Sequence, residues 1–213
     1  MSATDSGYAF PDSTGLAATA STPEADLAGQ ECAHYCERGL FGAAELQAIV
    51  AAGDAARWRD AGAPPYSEPD ADYRQAQIQW LHAPRLPWLF ERLATALSAI
   101  NRQHFGFDLW GFYDPLQLSR YEGGNGQHDW HTDRGTWASG RPPRKLSVVL
   151  QLSDPQGYAG GDLELLAGRE PIRADRTLGC LHVFPTFVVH RVSPVTAGIR
   201  HSLVGWVCGP KFR

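Results

Sequence analysis

Residues 128–135 read HDWHTDRG, two histidines, two aspartates and a tryptophan in eight positions, and so many ligating groups together form either a metal site or a polar loop. Within the stretch His131 and Asp133 are two apart, so an extended backbone projects both side chains from one face and Thr132 from the other. The result is a chelating pair. A third ligand has to come from elsewhere, and His190, in FVVHRVSPVTAGIR, lies in a later strand-like run 57 positions beyond Asp133. Two imidazoles and one carboxylate with the remaining positions open form the facial triad of non-heme iron sites, although the same donors suit zinc, manganese or nickel. His128 and Asp129 lack the chelating step, because Trp130 stands two after His128, and they read as rim residues.

A second chemical feature begins ten residues after His190. In RHSLVGWV, alternation places Arg200, Ser202, Val204 and Trp206 on one face and His201, Leu203, Gly205 and Val207 on the other. An arginine directed into a protein interior is costly unless an anion meets it. A dicarboxylate would supply that anion: the forked guanidinium suits a carboxylate, and Ser202 can add a hydroxyl donor.

Positioning these groups requires a sheet. Residues 1–30 are dominated by Ser, Thr, Ala, Pro, Gly and Asp without an apolar period, and are expected to be a disordered tail. LFGAAELQAIVAAGDAARW places Leu46, Ile49 and Val50 on one helical face and predicts a first helix from near Gly42. The prolines of residues 63–69 mark an irregular surface segment. LPWLFERLATALSAINRQHFG opens with Pro87, suited to a first helical turn, and sets Leu86, Leu89, Phe90, Leu93, Leu97 and Ile100 at three- and four-residue steps. After Gly106 the texture changes to short runs rich in Leu, Val, Phe and Trp between turn residues: DPLQLSRY, KLSVVLQL, GDLELL, PIRA, GCLHVFP, VVHRV and RHSLVGWV. Helices first and strands afterwards predict an α+β, mainly β domain over residues 31–213, with helical support at about 40–106 and a sandwich or barrel at about 107–213. In KLSVVLQL the face Leu146, Val148, Leu150 and Leu152 should meet the helices. Ser147, Val149 and Gln151 would then look inward, which implies an interior that holds something polar. Gly160-Gly161 predicts a tight turn with positive φ, and Pro194 a turn between the last two strands.

The ordered series Tyr121-x-Gly123, His131-x-Asp133, RKLSVVLQLSDP, YAGGDLEL, His190 and Arg200 resembles the 2-oxoglutarate and Fe(II)-dependent dioxygenases, in particular their prolyl 4-hydroxylase-like branch, over roughly residues 115–208. The resemblance implies a double-stranded β-helix (jelly-roll) core flanked by N-terminal helices. It implies that His131, Asp133 and His190 hold Fe(II), that Arg200 grips the distal carboxylate of 2-oxoglutarate, and that Tyr121 contacts this cosubstrate. Gln151 stands where relatives often carry a cosubstrate-contacting tyrosine, and Trp206 matches an aromatic position near the metal. The reaction implied consumes O2, converts 2-oxoglutarate to succinate and CO2, and hydroxylates an unactivated C–H of a peptide or protein residue or of an amino-acid-like small molecule. Ascorbate is an optional reductant. No separate acid or base is expected. An acid at position 133, rather than Gly or Ala, argues against the halogenating members, which need that ligand position vacant.

Composition narrows the alternatives. A net charge of −4, a pI near 6.0 and the lack of a Lys/Arg block give no electrostatic reason to expect nucleic acid or an anionic membrane as partner. With no bilayer-length apolar run and no secretory signal in the first residues, the expected location is cytoplasmic. The four cysteines, Cys32, Cys36, Cys180 and Cys208, are expected to be reduced. CAHYC, from Cys32 to Cys36, is half of a zinc-site pattern without an evident matching Cys/His pair, so packing is the simpler role. His182 reads as a hydrogen-bonded strand histidine, and Trp130 and Trp137 as candidates for a substrate groove or for packing. Two other classes compete. A cupin-type metalloenzyme would show an HxH pair, which is absent, and a noncatalytic binding module would have lost a ligand or the basic residue, and neither is lost.

Overall fold

Leu89, Phe90, Leu93, Leu97 and Ile100 recur at helical steps and give one long helix a continuous apolar face, against which the sheets are laid. The structure, a computed structural model, describes residues 7–10, 32–53, 57–61, 73–135 and 140–211. In chain order its elements are β1 (Tyr8–Ala9), β2 (Tyr35–Glu37), α1 (Ala43–Ala51), β3 (Arg59–Asp60), β4 (Arg74–Gln75), β5 (Gln77–Leu81), α2 (Pro87–His104), β6 (Gly111–Phe112), β7 (Leu116–Glu122), β8 (Gly126–His131), β9 (Arg144–Gln151), β10 (Tyr158–Gly160), β11 (Leu163–Leu166), β12 (Ile172–Arg173), β13 (Leu181–Pro185) and β14 (Val189–Cys208). α1 starts where expected: Gly42 is its N-cap, and the Glu45 carboxylate accepts the Gly42 N–H. Pro87 occupies the first turn of α2, where its missing N–H costs nothing.

The strands form a mainly antiparallel jelly roll. The major sheet runs β2-β13-β9-β14-β7-β5-β3, and the opposing strands β8, β10 and β11 all pair with the first half of β14. Leu146, Val148 and Leu150 of β9 and Leu203 and Val207 of β14 enter one buried cluster with Leu46 and Ile49 of α1 and the apolar face of α2. Ser147, Val149 and Gln151 turn to the interior between the sheets, as alternation requires. Phe90 is 1% exposed and meets the Phe112 ring edge-on at 5.7 Å. Phe90→Ala should therefore destabilise the chain by about 3–5 kcal/mol, read from urea unfolding at unchanged slope. A loss below about 1 kcal/mol would show that α2 is not the support of the sheet.

Four expectations are corrected. Pro194 makes no turn, because residues 189–208 form one 20-residue strand that leaves one sheet and enters the other. Its ladder with β8 shifts register between His190 and Val192 and again between Val192 and Val195, and a proline without an N–H fits such an irregular stretch. Inside the expected 1–30 tail, Tyr8–Ala9 pairs with Gly111–Phe112, and Phe10 is buried against the Phe112 ring; residues 1–6 and 11–31 lie outside the described residues. The expected helical support at 40–106 also contains strands, and β5 extends the major sheet by pairing with β7. Finally, Cys36 and Cys180 are joined by a disulfide, while Cys32 and Cys208 are free. The bridge spans 144 residues, so no local spacing announces it; the pairing of β2 with β13 creates it. Gly160 and Gly161 do adopt positive φ, 70° and 66°. The expected proline-rich segment at residues 63–69, and Trp137, lie outside the described residues. Among the described residues no helix is long and apolar enough to cross a membrane.

Candidate functional site

β8 and the first half of β14 are antiparallel neighbours, and their register sets His131 opposite His190. Just beyond the end of β8, the Asp133 N–H donates to the Thr186 carbonyl, which holds the chain extended and returns the carboxylate to the same side as His131. His131 Nε2 is 3.7 Å from Asp133 Oδ1, and His190 Nε2 is 3.3 Å from Asp133 Oδ2. One donor atom from each of the three lies within 4.8 Å of the other two. Each imidazole has its second nitrogen committed: His131 Nδ1 donates to the Asp129 carbonyl at 2.6 Å and His190 Nδ1 to the Val188 carbonyl at 3.0 Å. A carbonyl only accepts, so both histidines carry hydrogen on Nδ1 and direct Nε2 at the carboxylate, the arrangement in which histidine ligates metal. Ser147 Oγ donates to Asp133 Oδ2 at 2.8 Å and fixes the carboxylate.

The charges are coupled. Burial opposes ionisation of Asp133, but the adjacent His190 and His131 outweigh it and hold the carboxyl below its usual range. Burial likewise opposes protonation of His190, and Asp133 overrides it, so His190 is raised. Burial, with His190 beside it, lowers His131 to about 4.

Arg200 lies in the second half of β14, directly opposite Tyr121 on β7. Its side chain is fully buried and its guanidinium sits 5.4 Å from the centre of the Tyr121 ring. Nη2 donates to Gln151 Oε1 at 3.0 Å, Nη1 to Ser202 Oγ at 3.3 Å, and Nε has no partner. Among the described residues no carboxylate pairs with it. Arg200, Ser202, Tyr121 and the triad open onto one cavity of about 350 Å³. Gln151 is buried behind Arg200 and is not on the cavity wall, so it touches the guanidinium rather than the space. Gly161 permits this packing: a Cβ there would lie 3.1 Å from Arg200 Cδ and 2.8 Å from Val195.

Several cavity residues escaped the sequence reading. His128 stacks on His131 with ring centres 3.6 Å apart and, through burial, is lowered to about 2. Its expected place was the rim, because Trp130 and not a ligand stands two after it, and the irregular β8–β14 register is what brings it onto the wall. Arg74, whose Nε is unpaired, reaches the cavity from β4, and Arg144 lies 3.8 Å over the Trp206 ring at its side. Ser147, which touches Asp133 without lining the cavity, did have a signal, as a polar residue on the inward face of β9. Trp130 is half-buried, with Arg191 4.6 Å over its ring, and is not among the residues lining the cavity. The arrangement can hold a divalent cation with open positions beside a buried receptor for an anion.

Residues 116–208 match the 2OG-Fe(II) oxygenase superfamily. The chain is 38% identical over 104 residues to a PKHD-type hydroxylase of Synechococcus sp. (strain CC9311), covering 46% of this chain and 45% of that protein. It is 36% identical over 100 residues to a PKHD-type hydroxylase of Shewanella sp. (strain ANA-3), covering 45% and 43%. It therefore spans less than half the length of these relatives. Among solved structures, a Pseudomonas putida prolyl-4-hydroxylase superposes with a TM-score of 0.66 at 24% identity, over 84% of this chain and 94% of that one. A prolyl hydroxylase from Trichoplax adhaerens, in complex with a hypoxia inducible factor oxygen degradation domain peptide fragment, gives 0.66 at 16% identity over 84% of each chain. These two share the fold.

Proposed function

Since residues 116–208 match the 2OG-Fe(II) oxygenase superfamily and the fold is similar to that of a prolyl-4-hydroxylase, we propose that the chain is an Fe(II)- and 2-oxoglutarate-dependent dioxygenase that hydroxylates an unactivated C–H bond. Succinate and CO2 are the coproducts. The observation that carries this reading is the buried Arg200, without a carboxylate partner among the described residues, in one cavity with the His131, Asp133 and His190 cluster. A lone buried cation is costly, and a diacid reaching from the metal to the guanidinium offsets that cost.

In this reading His131, Asp133 and His190 hold Fe(II), and the iron, once bound, supplies activation of O2 and of the keto acid. The chain supplies orientation. The carbonyls of Asp129 and Val188 fix the imidazole tautomers and Ser147 fixes the carboxylate. Arg200 and Ser202 bind the distal carboxylate, Tyr121 flanks it, and Gln151 orients the guanidinium from behind. Val149, Leu163 and Val204 give the cavity dry walls. No side chain is assigned as general acid or base.

Residues 31–213 are read as one catalytic unit, with Tyr8–Ala9 contributed from the preceding segment. The substrate class is a peptide or protein residue, supported by the peptide named in the Trichoplax adhaerens complex; an amino-acid-like small molecule is the second choice. The test begins without substrate. Anaerobic addition of Fe(II) and 2-oxoglutarate should produce a visible metal-to-ligand charge-transfer band, and its absence at saturating concentrations would remove the assignment. Succinate release coupled to gain of one oxygen atom, screened over proline-containing peptides with and without ascorbate, then identifies the substrate and shows whether ascorbate matters.

A further inference from the structure

The proposed reaction leaves a second cluster of ligating side chains unused. On the edge ladder of the major sheet, Cys36 of β2 stands directly opposite His182 of β13. Alternation puts His34 on the face of Cys36 and Cys180 on the face of His182, so His34-x-Cys36 and Cys180-x-His182 bring two imidazoles and two sulfurs together. One donor atom from each of Cys36, Cys180 and His182 lies within 4.8 Å of the other two. His34 Nε2 is 2.9 Å from His182 Nδ1, and the two rings are stacked. The pair missing from the sequence reading of Cys32 to Cys36 is thus Cys180 and His182, brought alongside by the sheet.

The protonation of His182 follows from its partners. Its Nε2 is 2.8 Å from the Asp175 carbonyl, which can only accept, so the hydrogen is on Nε2 and the Nδ1 lone pair accepts the His34 Nε2–H, a hydrogen bond that a metal ion would replace. Burial lowers His182 to about 4, and burial lowers His34 as well, so both are neutral near pH 7. A buried neutral imidazole whose other nitrogen is tied to a backbone carbonyl is the form a metal-ligating histidine takes.

We propose that this quartet is a redox-gated site for Zn2+: closed to metal while Cys36 and Cys180 share their disulfide, and, after reduction, ligating the ion through both sulfurs and His182, with His34 as fourth donor. Opening the site takes two electrons and two protons from a dithiol, which leaves as its own disulfide, and Zn2+ then displaces the two thiol protons to solvent. Closing it reverses the balance: hydrogen peroxide accepts two electrons from the thiolates and two protons from solvent to give two waters, the disulfide forms, and the ion is released. Two thiolates neutralise the dication, and the S2N2 donor set selects zinc over the harder ions suited to the carboxylate-bearing triad. Either state fastens β2 to the sheet, which its ladder holds through only three residue pairs.

Cobalt(II) reports this site without reference to the oxygenase reading, because only sulfur ligation gives an intense near-ultraviolet charge-transfer band and the triad contains no sulfur. The full chain, reduced and metal-free, should develop that band on titration with Co2+, and the oxidised chain should not. Cys36→Ser and Cys180→Ser should each abolish the band, and Cys32→Ser and Cys208→Ser should keep it. On the reduced wild-type chain, independent of any variant's folding, Zn2+ should slow iodoacetamide alkylation of Cys36 and Cys180 by roughly tenfold or more, mapped by peptide mass. A missing band, a band that survives both serine variants, or alkylation indifferent to Zn2+ overturns the proposal.

Discussion

Asp133→Ala should abolish substrate-dependent succinate formation while leaving the far-ultraviolet circular dichroism and the unfolding transition close to those of the parent. The carboxylate is the one anionic donor of the cluster, lying within 4 Å of the Nε2 atoms of both His131 and His190. Without it two neutral imidazoles remain, too weak a donor set for a hard divalent ion. Loss of partners that merely orient ligands typically costs 10- to 100-fold in metal affinity or activity, so loss of the ligand itself should cost roughly 100-fold or more. The fold should survive because Asp133 lies outside the apolar clusters and its buried charge is itself costly. Ser147→Ala supplies the graded companion: only the Ser147 Oγ to Asp133 hydrogen bond is lost, and Fe(II) affinity should fall by about 10- to 100-fold with the site still assembled. Equilibrium binding of Fe(II), measured anaerobically, separates the two variants. Wild-type turnover by Asp133→Ala would remove this residue, and with it the triad, from the chemistry.

The triad was legible in the sequence for a physical reason. His131 and Asp133 share a face through local alternation, the same alternation turns Arg200 inward with Ser202, and His190 is a third donor standing in a strand-like run. The helix-facing and inward-facing rows of β9 separated correctly because Leu146, Val148 and Leu150 leave no ambiguity about which side is apolar. Whatever depended on pairing between distant strands was hidden. Irregular register in the β8–β14 ladder draws His128 onto the cavity wall although its spacing to His131 is wrong for a regular strand. The Cys36–Cys180 bridge exists only because two short strands far apart in sequence become neighbours. Short edge strands were missed for a related cause: Tyr8–Ala9 and Arg74–Gln75 are too brief to show a period, and their partners, not their composition, make them strands.

Arg200→Met should raise the 2-oxoglutarate concentration required for half-maximal turnover far more than it lowers the rate at saturation. The guanidinium is fully buried, donates only to the neutral acceptors Gln151 and Ser202, and leaves Nε without a partner. Among the described residues its positive charge is therefore uncompensated until an anion arrives, and the affinity of that anion rests on the charge. Truncating one partner of a buried charged pair costs about 2–5 kcal/mol, which corresponds to roughly thirtyfold to a few thousandfold in the cosubstrate constant. Ser202→Ala removes a single neutral donor and should cost about 1 kcal/mol, roughly fivefold. Lysine is no remedy, since an ammonium cannot reproduce the fork that meets a carboxylate with two parallel bonds. Fe(II) affinity should be unchanged in Arg200→Met and Ser202→Ala, because the proposed ligands His131, Asp133 and His190 stand on β8, just beyond it, and on the first half of β14, whereas Arg200 and Ser202 stand on the second half. If Arg200→Met kept the wild-type cosubstrate constant, the buried charge would have a purely structural role and the diacid would have to bind elsewhere. If the variant lost iron together with the cosubstrate, the two ends of the cavity would not be the separable receptors that the geometry describes.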